Sequence, residues 1–262
     1  LYYKPWHDRF NKLVLGKYIP ADQEDMKDAH DVFDLLAYHP GTARHIARKL
    51  CTRFISDAPP ESIVQAAANT FIQFKDAPDQ LKRVMETILL SAEFKASWGG
   101  KVKRPFEAAI SMMRALNSES VRIPGGVNWM LGLMGQAIFE RRTPDGYPDS
   151  REAWANSMSL LYRWNLSVGL TENWLQDDDT GYKINSDVYG QTPAEVRTAS
   201  SLADYWIQRI LNRTLPDESR NAVIAVMAQE YGWDETLPEE HVQYVLPAMV
   251  EVILMSPDFQ WR

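Results

Sequence analysis

Residues 39–54 read HPGTARHIARKLCTRF, and this stretch decides the fold class. Ala43, Ile46, Leu50, Cys51 and Phe54 recur at three- and four-residue intervals, the spacing that puts side chains on one face of an α-helix. His39-Pro40-Gly41 is a break, because proline cannot continue a preceding helix and glycine relaxes the backbone. Before the break, Met26, Phe33 and Leu36 share one face of a helix expected over about 24–37. After it the same period continues, with helices expected at about 60–74, 79–91, 105–116, 126–136, 150–169, 193–212, 217–231 and 238–255. The chain therefore reads as all-α, a compact multi-helix domain.

The exception is the start. Tyr2–Tyr3 and Asn11–Ile19 are β-prone runs around a His7-Asp8-Arg9 turn, closed by Pro20. A small β-hairpin over 1–20 packed on a helical domain over 21–262 is expected. Two helix starts carry capping signatures: Thr192-Pro193-Ala194-Glu195, and Asp149-Ser150-Arg151-Glu152 with Asp149 as the cap. Loops are expected at 117–125, 137–149 and 171–191, lengths that belong to functional segments when they occur inside a domain. Glu86–Phe94 echoes Glu251–Phe259, sharing Glu, Ile, Leu, Ser and Phe at matching positions. Two related helical units, about 41–98 and 193–262, would account for the echo; convergence of two amphipathic helices is the other explanation.

Composition narrows the partners. A net charge of −7 over 262 residues argues against nucleic acid and anionic membrane surfaces, which need a basic patch. No apolar run approaches the roughly 20 residues of a membrane-spanning helix. One cysteine, Cys51, excludes an intrachain disulfide framework. The five histidines show no HExxH spacing, His30 reads as a hydrogen-bonded core residue, and no metal site is expected. Neither a glycine-rich phosphate loop nor a Gly-x-Ser-x-Gly elbow occurs, so no cofactor is expected. The Asp177–Asp187 run fails the EF-hand template, with glycine at the fifth position and Val188 at the twelfth, and reads as a solvated acidic loop.

Two loops hold the candidate chemistry. In Thr143-Pro-Asp-Gly-Tyr-Pro-Asp149 the two prolines stiffen a turn carrying Asp145, Tyr147 and Asp149. In Lys101-Val-Lys-Arg-Pro-Phe-Glu107, Pro105 suits a first helical position, with Glu107 at the third. Lys101, Lys103 and Arg104 are placed to bridge carboxylates of the 143–149 loop or to hold an anionic ligand. Asp145, Asp149 and Glu107 are the candidate acid and base residues, since paired carboxylates serve glycoside chemistry. Tyr147, Lys103, Arg104, Arg163 and Trp174 are the candidate ligand contacts. The bland alternative gives each a turn, cap or packing role. Trp154, Met158, Leu161 and Val168 share a helical face expected in the core, Trp164 at its edge and Arg163 opposite. Among the nine tryptophans, Trp174 and Trp6 are expected to be free for carbohydrate stacking.

Asn11–Gly16 with Ile19-Pro20, His39–Leu50 with Phe54, Lys101–Glu107, Thr143–Asp149, Trp154, Arg163-Trp164-Asn165 and Leu254–Phe259 together resemble the bacterial domain-of-unknown-function family 1800 (DUF1800). The resemblance implies a mostly helical bacterial protein, with this chain as the C-terminal portion of a longer one. It also implies export to the periplasm or beyond, and a protein partner from an exported alkaline-phosphatase-like family. It brings no established activity. The leading expectation is an accessory or binding protein acting on cell-envelope or extracellular polymers, with a glycan ligand and a protein partner. A carboxylate-dependent hydrolase or lyase and a structural scaffold are the opposing ones.

Overall fold

The computed structural model describes residues 2–120, 125–175 and 184–262. The fold is all-α, and its contacts divide it into two units, Leu1–Ser97 and Trp98–Arg262. Among the described residues no helix is long and apolar enough to cross a membrane. Most of the acidic stretch weighed as a calcium loop lies outside the described residues.

The first unit opens with a 3-10 turn at Lys4–Trp6 and a hairpin, β1 (Lys12–Val14) against antiparallel β2 (Lys17–Ile19). The whole hairpin falls within the second of the two β-prone runs. Tyr2–Tyr3 forms no strand, and the hairpin turn is Leu15-Gly16 rather than His7–Arg9. Both turn residues have positive φ (48° and 79°), which matches the strand twist of a two-residue hairpin. α1 (Lys27–Ala37) follows, then α2 (Pro40–Phe54), α3 (Glu61–Gln73), α4 (Gln80–Leu89) and the one-turn α5 (Ala92–Lys95). His39 caps α2 through Nδ1, which accepts the Gly41 amide at 3.0 Å, and Pro40 occupies the first turn. Ala43, Ala47 and Cys51 are fully buried, and their small side chains let α3 close in through Val64 and Ala67. Burial pushes the Cys51 thiol up to about 11, as befits an inert core cysteine.

α1 turns the expected arrangement over. Met26, Phe33, Leu36 and also His30 are exposed, while Asp28 is buried against Lys12, His7 and Gln23. His30 is thus not a core residue.

The second unit contains α6 (Pro105–Ala115), β3 (Glu119–Ser120), α7 (Gly125–Leu133), α8 (Arg151–Trp154), α9 (Ser157–Thr171), β4 (Ile184–Asn185), α10 (Ala199–Leu211), α11 (Asp217–Ala228), α12 (Glu239–Met255) and α13 (Pro257–Gln260). β3 and β4 pair antiparallel, a second ladder absent from the sequence expectation. α12 continues through Pro247. α9 packs on α12, α6 and α7, around a core that includes Met112, Leu166, Leu170, Trp206, Met249 and Ile253.

Three boundaries differ from expectation for local reasons. The helix expected over 150–169 is two, because Asn156 Oδ1 accepts the Ser159 amide at 2.8 Å and starts α9 afresh. Ser150, not Asp149, stands at the cap position of α8, one residue beyond the start expected from the Asp149–Glu152 signature. Thr192 starts no helix: its hydroxyl bonds Val188 O and accepts the Trp206 indole N–H, while Thr198 caps α10.

The two echo segments occupy the same place in their units. α2–α3–α4–α5 and α10–α11–α12–α13 follow the same succession, each with neighbouring helices packed and a proline at the cap of its second helix. Ser91 and Ser256 each cap a one-turn helix by accepting the amide of a phenylalanine, Phe94 or Phe259.

Candidate functional site

The Lys101–Glu107 segment is held in place by the end of the described chain. Lys101 N bonds Arg262 O at 3.2 Å, Arg262 N bonds Lys101 O at 2.8 Å, and Lys103 N bonds Gln260 O at 2.9 Å. This antiparallel clasp brings Arg262 beside the start of α6. There the Glu107 carboxylate accepts the Arg104 backbone amide at 3.0 Å and the Arg104 guanidinium at 3.2 and 3.3 Å, and pairs with Arg262 Nε at 3.4 Å. An acid at the third position of a helix also offsets its positive end.

Lys101 is buried, and its ammonium reaches Asp149 at the carbonyl (3.3 Å) and carboxylate (3.6 Å). Of the three cations expected to bridge the 143–149 loop, Lys101 does so. Arg104 turns to Glu107 instead. The Lys103 ammonium lies 3.6 Å from the Phe259 ring centroid. Burial presses the Lys103 ammonium down to about 8; Glu107 pulls it back up, and Arg163 and Arg262 push it lower.

Arg163 is fully buried, the reverse of the helical-wheel expectation. Its guanidinium donates to Ser159 Oγ (3.3 Å), Gln260 Oε1 (3.0 Å) and Trp154 O (3.4 Å), all of them neutral. Burial lowers it to about 10, with Glu107 opposing. Consequently α9 shows solvent the face expected in the core: Met158 is 55% exposed and Leu161 45%, although Trp154 is buried as expected.

The polar side chains of the 143–149 loop are engaged by residues around it. Asp145 accepts the Thr143 hydroxyl and two bonds of 3.2 Å from Arg141, and these hold its carboxyl below the usual range. Tyr147 donates to Ala137 O at 2.7 Å and packs near Trp154, whose indole N–H reaches Pro148 O at 3.0 Å. A hollow of about 310 Å³ beside the loop is lined by Arg141, Tyr147, Pro148, Trp154 and Asn156. The three candidate carboxylates are thus all engaged by basic side chains: Asp145 by Arg141, Asp149 by Lys101, Glu107 by Arg104 and Arg262. Trp174 is half-exposed, and its ring lies against Gly169, where a Cβ would sit 3.1 Å from the indole.

A second location emerges that sequence reasoning missed. Trp98 and Trp261 line a pocket of about 410 Å³ with Gly99, Arg213, Pro257 and Asp258. Trp98 is 69% exposed. Arg213 Nη2 donates to Asp258 Oδ1 at 2.6 Å and to its carbonyl at 3.1 Å, and the guanidinium lies 5.6 Å from the Trp98 ring centroid. The pocket thus offers aromatic surface beside an oriented donor and acceptor. Its residues come from three separated segments, and the only sequence signal was the Pro257-Asp258-Phe259 motif beside Trp261.

Compared with known proteins, residues 1–261 match the model of the family described as protein of unknown function (DUF1800). No curated protein and no solved structure matches the chain.

Proposed function

We propose, for a chain that belongs to the DUF1800 family along nearly its whole length, that it is a glycan-binding accessory protein. The observation that carries this reading is the pocket in which two tryptophans stand beside the Arg213–Asp258 pair. Sugar rings present apolar C–H faces and polar edges, so they suit a site that combines indole surface with a few fixed polar groups. A paired guanidinium and carboxylate supply donors to hydroxyl oxygens and acceptors for hydroxyl protons at fixed positions.

The carboxylate hydrolase or lyase has less support. A general acid at neutral pH needs its carboxyl raised, whereas Asp145 is lowered, first by Thr143 and then by Arg141. Glu107 and Asp149 serve as ion-pair partners of basic residues. From the family resemblance we take the setting: an exported protein acting on envelope or extracellular polymers, with a partner from an alkaline-phosphatase-like family. The glycan-bearing surface is Trp98–Trp261, and Trp174 offers a separate half-exposed indole.

A glycan array followed by titration calorimetry tests the reading. Trp98→Ala and Trp261→Ala are expected to weaken binding at least tenfold, about 1.4 kcal/mol, and Asp145→Asn to leave it intact. Absence of any bound glycan, or tryptophan variants that bind as the wild type does, would overturn the proposal.

A further inference from the structure

Arg213 belongs to two pockets. On one side it lines the Trp98–Trp261 pocket. On the other it lines a second, of about 370 Å³, with Asp204 and Gln208 from α10, Thr214 and Leu215 from the following loop, and Arg220 from α11. The two hollows adjoin at this side chain, whose guanidinium is fixed by Asp258.

The second hollow repeats the polar design of the first. Arg220 holds Asp204 through two parallel bonds, Nε to Oδ1 at 2.6 Å and Nη2 to Oδ2 at 2.8 Å. Across both hollows, two guanidinium groups are matched by two carboxylates within ion-pair distance. The lining therefore carries oriented donors and acceptors with its charges balanced. Such a lining offers oriented partners to hydroxyl groups, and its own charged residues are paired rather than left in excess to hold a polyanion or polycation. Each hollow alone is at the low end of the roughly 300–1,000 Å³ of small-molecule sites.

From this juxtaposition we infer that the ligand is an uncharged oligosaccharide spanning two adjoining subsites. One sugar unit stacks at Trp98 and Trp261, and the chain continues past Arg213 toward Thr214 and the Asp204–Arg220 pair. This inference rests on the glycan reading above and extends it from a single stacked ring to a polymer segment.

The test is titration calorimetry of the full chain with cello- and chito-oligosaccharides of one, two, four and six residues, alongside polygalacturonate fragments as an anionic control. Affinity is expected to rise at least tenfold from the monosaccharide to the tetrasaccharide. Arg220→Met is expected to reduce tetrasaccharide affinity more than disaccharide affinity. Gln208→Ala, which leaves the ion pair in place, provides the same readout if Arg220→Met does not fold. Equal affinity at every length, with binding still dependent on Trp98, overturns the second subsite and leaves the glycan reading standing. Tighter binding of the anionic fragments overturns the uncharged class. If no oligosaccharide of any length binds, both readings fall together.

Discussion

Arg163 and Gln260 lie 97 residues apart in sequence and meet through a 3.0 Å bond from Nη1 to Oε1. The guanidinium is buried, its acceptors among the described residues are neutral, and Gln260 is itself fixed by a 2.7 Å bond from Nε2 to Leu254 O. A desolvated cation with neutral acceptors is a costly arrangement, tolerable only while every acceptor stays in place. Gln260→Leu, which strips one acceptor and leaves the charge, should destabilise by about 2–4 kcal/mol. Arg163→Met removes the charge together with its donors and should cost less. The double variant should be more stable than the sum of the two losses by about 1–3 kcal/mol. Urea denaturation of the four proteins measures this coupling, and strict additivity would show that the bond does not link the two sites.

Lys103 gives a pH signature. Its folded value of about 8 lies below the ordinary lysine value of 10.5, because burial opposes its charge. Below about pH 8 both folded and unfolded forms carry the proton, and the folded chain bears the whole penalty. Between about 8 and 10.5 the unfolded chain binds more protons, so stability rises with pH across that window. Lys103→Met should therefore be more stable than the wild type at pH 7, by about 1–3 kcal/mol after the lost contact with Phe259 is deducted. The wild type should gain stability from pH 7 to 10 relative to the variant. Parallel curves for the two proteins would sink the assignment.

These buried cations explain where the sequence could and could not be read. Periodicity identifies that α9 has two faces, and composition makes the face with Met158 and Leu161 look like the core. The face that packs on α12 and α6 is instead the one with Ser159, Arg163, Leu166 and Leu170, since Arg163 finds its acceptors on Trp154 and Gln260. No local pattern encodes a partner 97 residues away. Strong local rules did transfer: the break read at His39-Pro40 falls between α1 and α2, and Ala43 and Cys51 are on the buried face of α2. Where two neighbouring residues compete for one task, such as Asp149 and Ser150 at the start of α8, the buried Lys101 settles the matter by drawing Asp149 to itself. The Trp98–Trp261 pocket was out of reach because Trp98–Gly99, Arg213 from the loop after α10, and the Pro257–Trp261 end of the chain assemble it from distant segments.

Gly169 lies against the half-exposed Trp174. In a helix interior, glycine to alanine ordinarily stabilises by about 0.5–1 kcal/mol. Here the new Cβ would stand 2.7 Å from Leu175 Cγ, 2.9 Å from Leu175 Cδ1 and 3.1 Å from Trp174 Cε2. Overpacking of this kind costs about 1–3 kcal/mol, so Gly169→Ala should lower stability despite its better helix propensity. The displaced indole should also shift the tryptophan emission. A rise in melting temperature with unchanged emission would mean the loop moves aside freely, and Gly169 would then have no part in holding Trp174.

The echo between Glu86–Phe94 and Glu251–Phe259 gives a matched pair of experiments. In each copy the serine hydroxyl donates to an isoleucine carbonyl, Ile88 O or Ile253 O, at 2.7 Å. The same oxygen accepts the amide of Phe94 at 3.0 Å or of Phe259 at 3.3 Å. One hydroxyl thus closes the end of a long helix and opens a one-turn helix, and an N-cap serine of this type is worth about 1 kcal/mol. Ser91→Ala and Ser256→Ala should each destabilise by about 1–2 kcal/mol, by similar amounts. Phe259 also forms the surface on which Lys103 rests, so Ser256→Ala should change the size of the pH 8 to 10.5 stability rise while Ser91→Ala leaves it alone. Denaturation of both variants at pH 7 and 10 separates the shared capping role from the local one. A large loss in one copy and none in the other would show that the sequence echo does not mark equivalent joints.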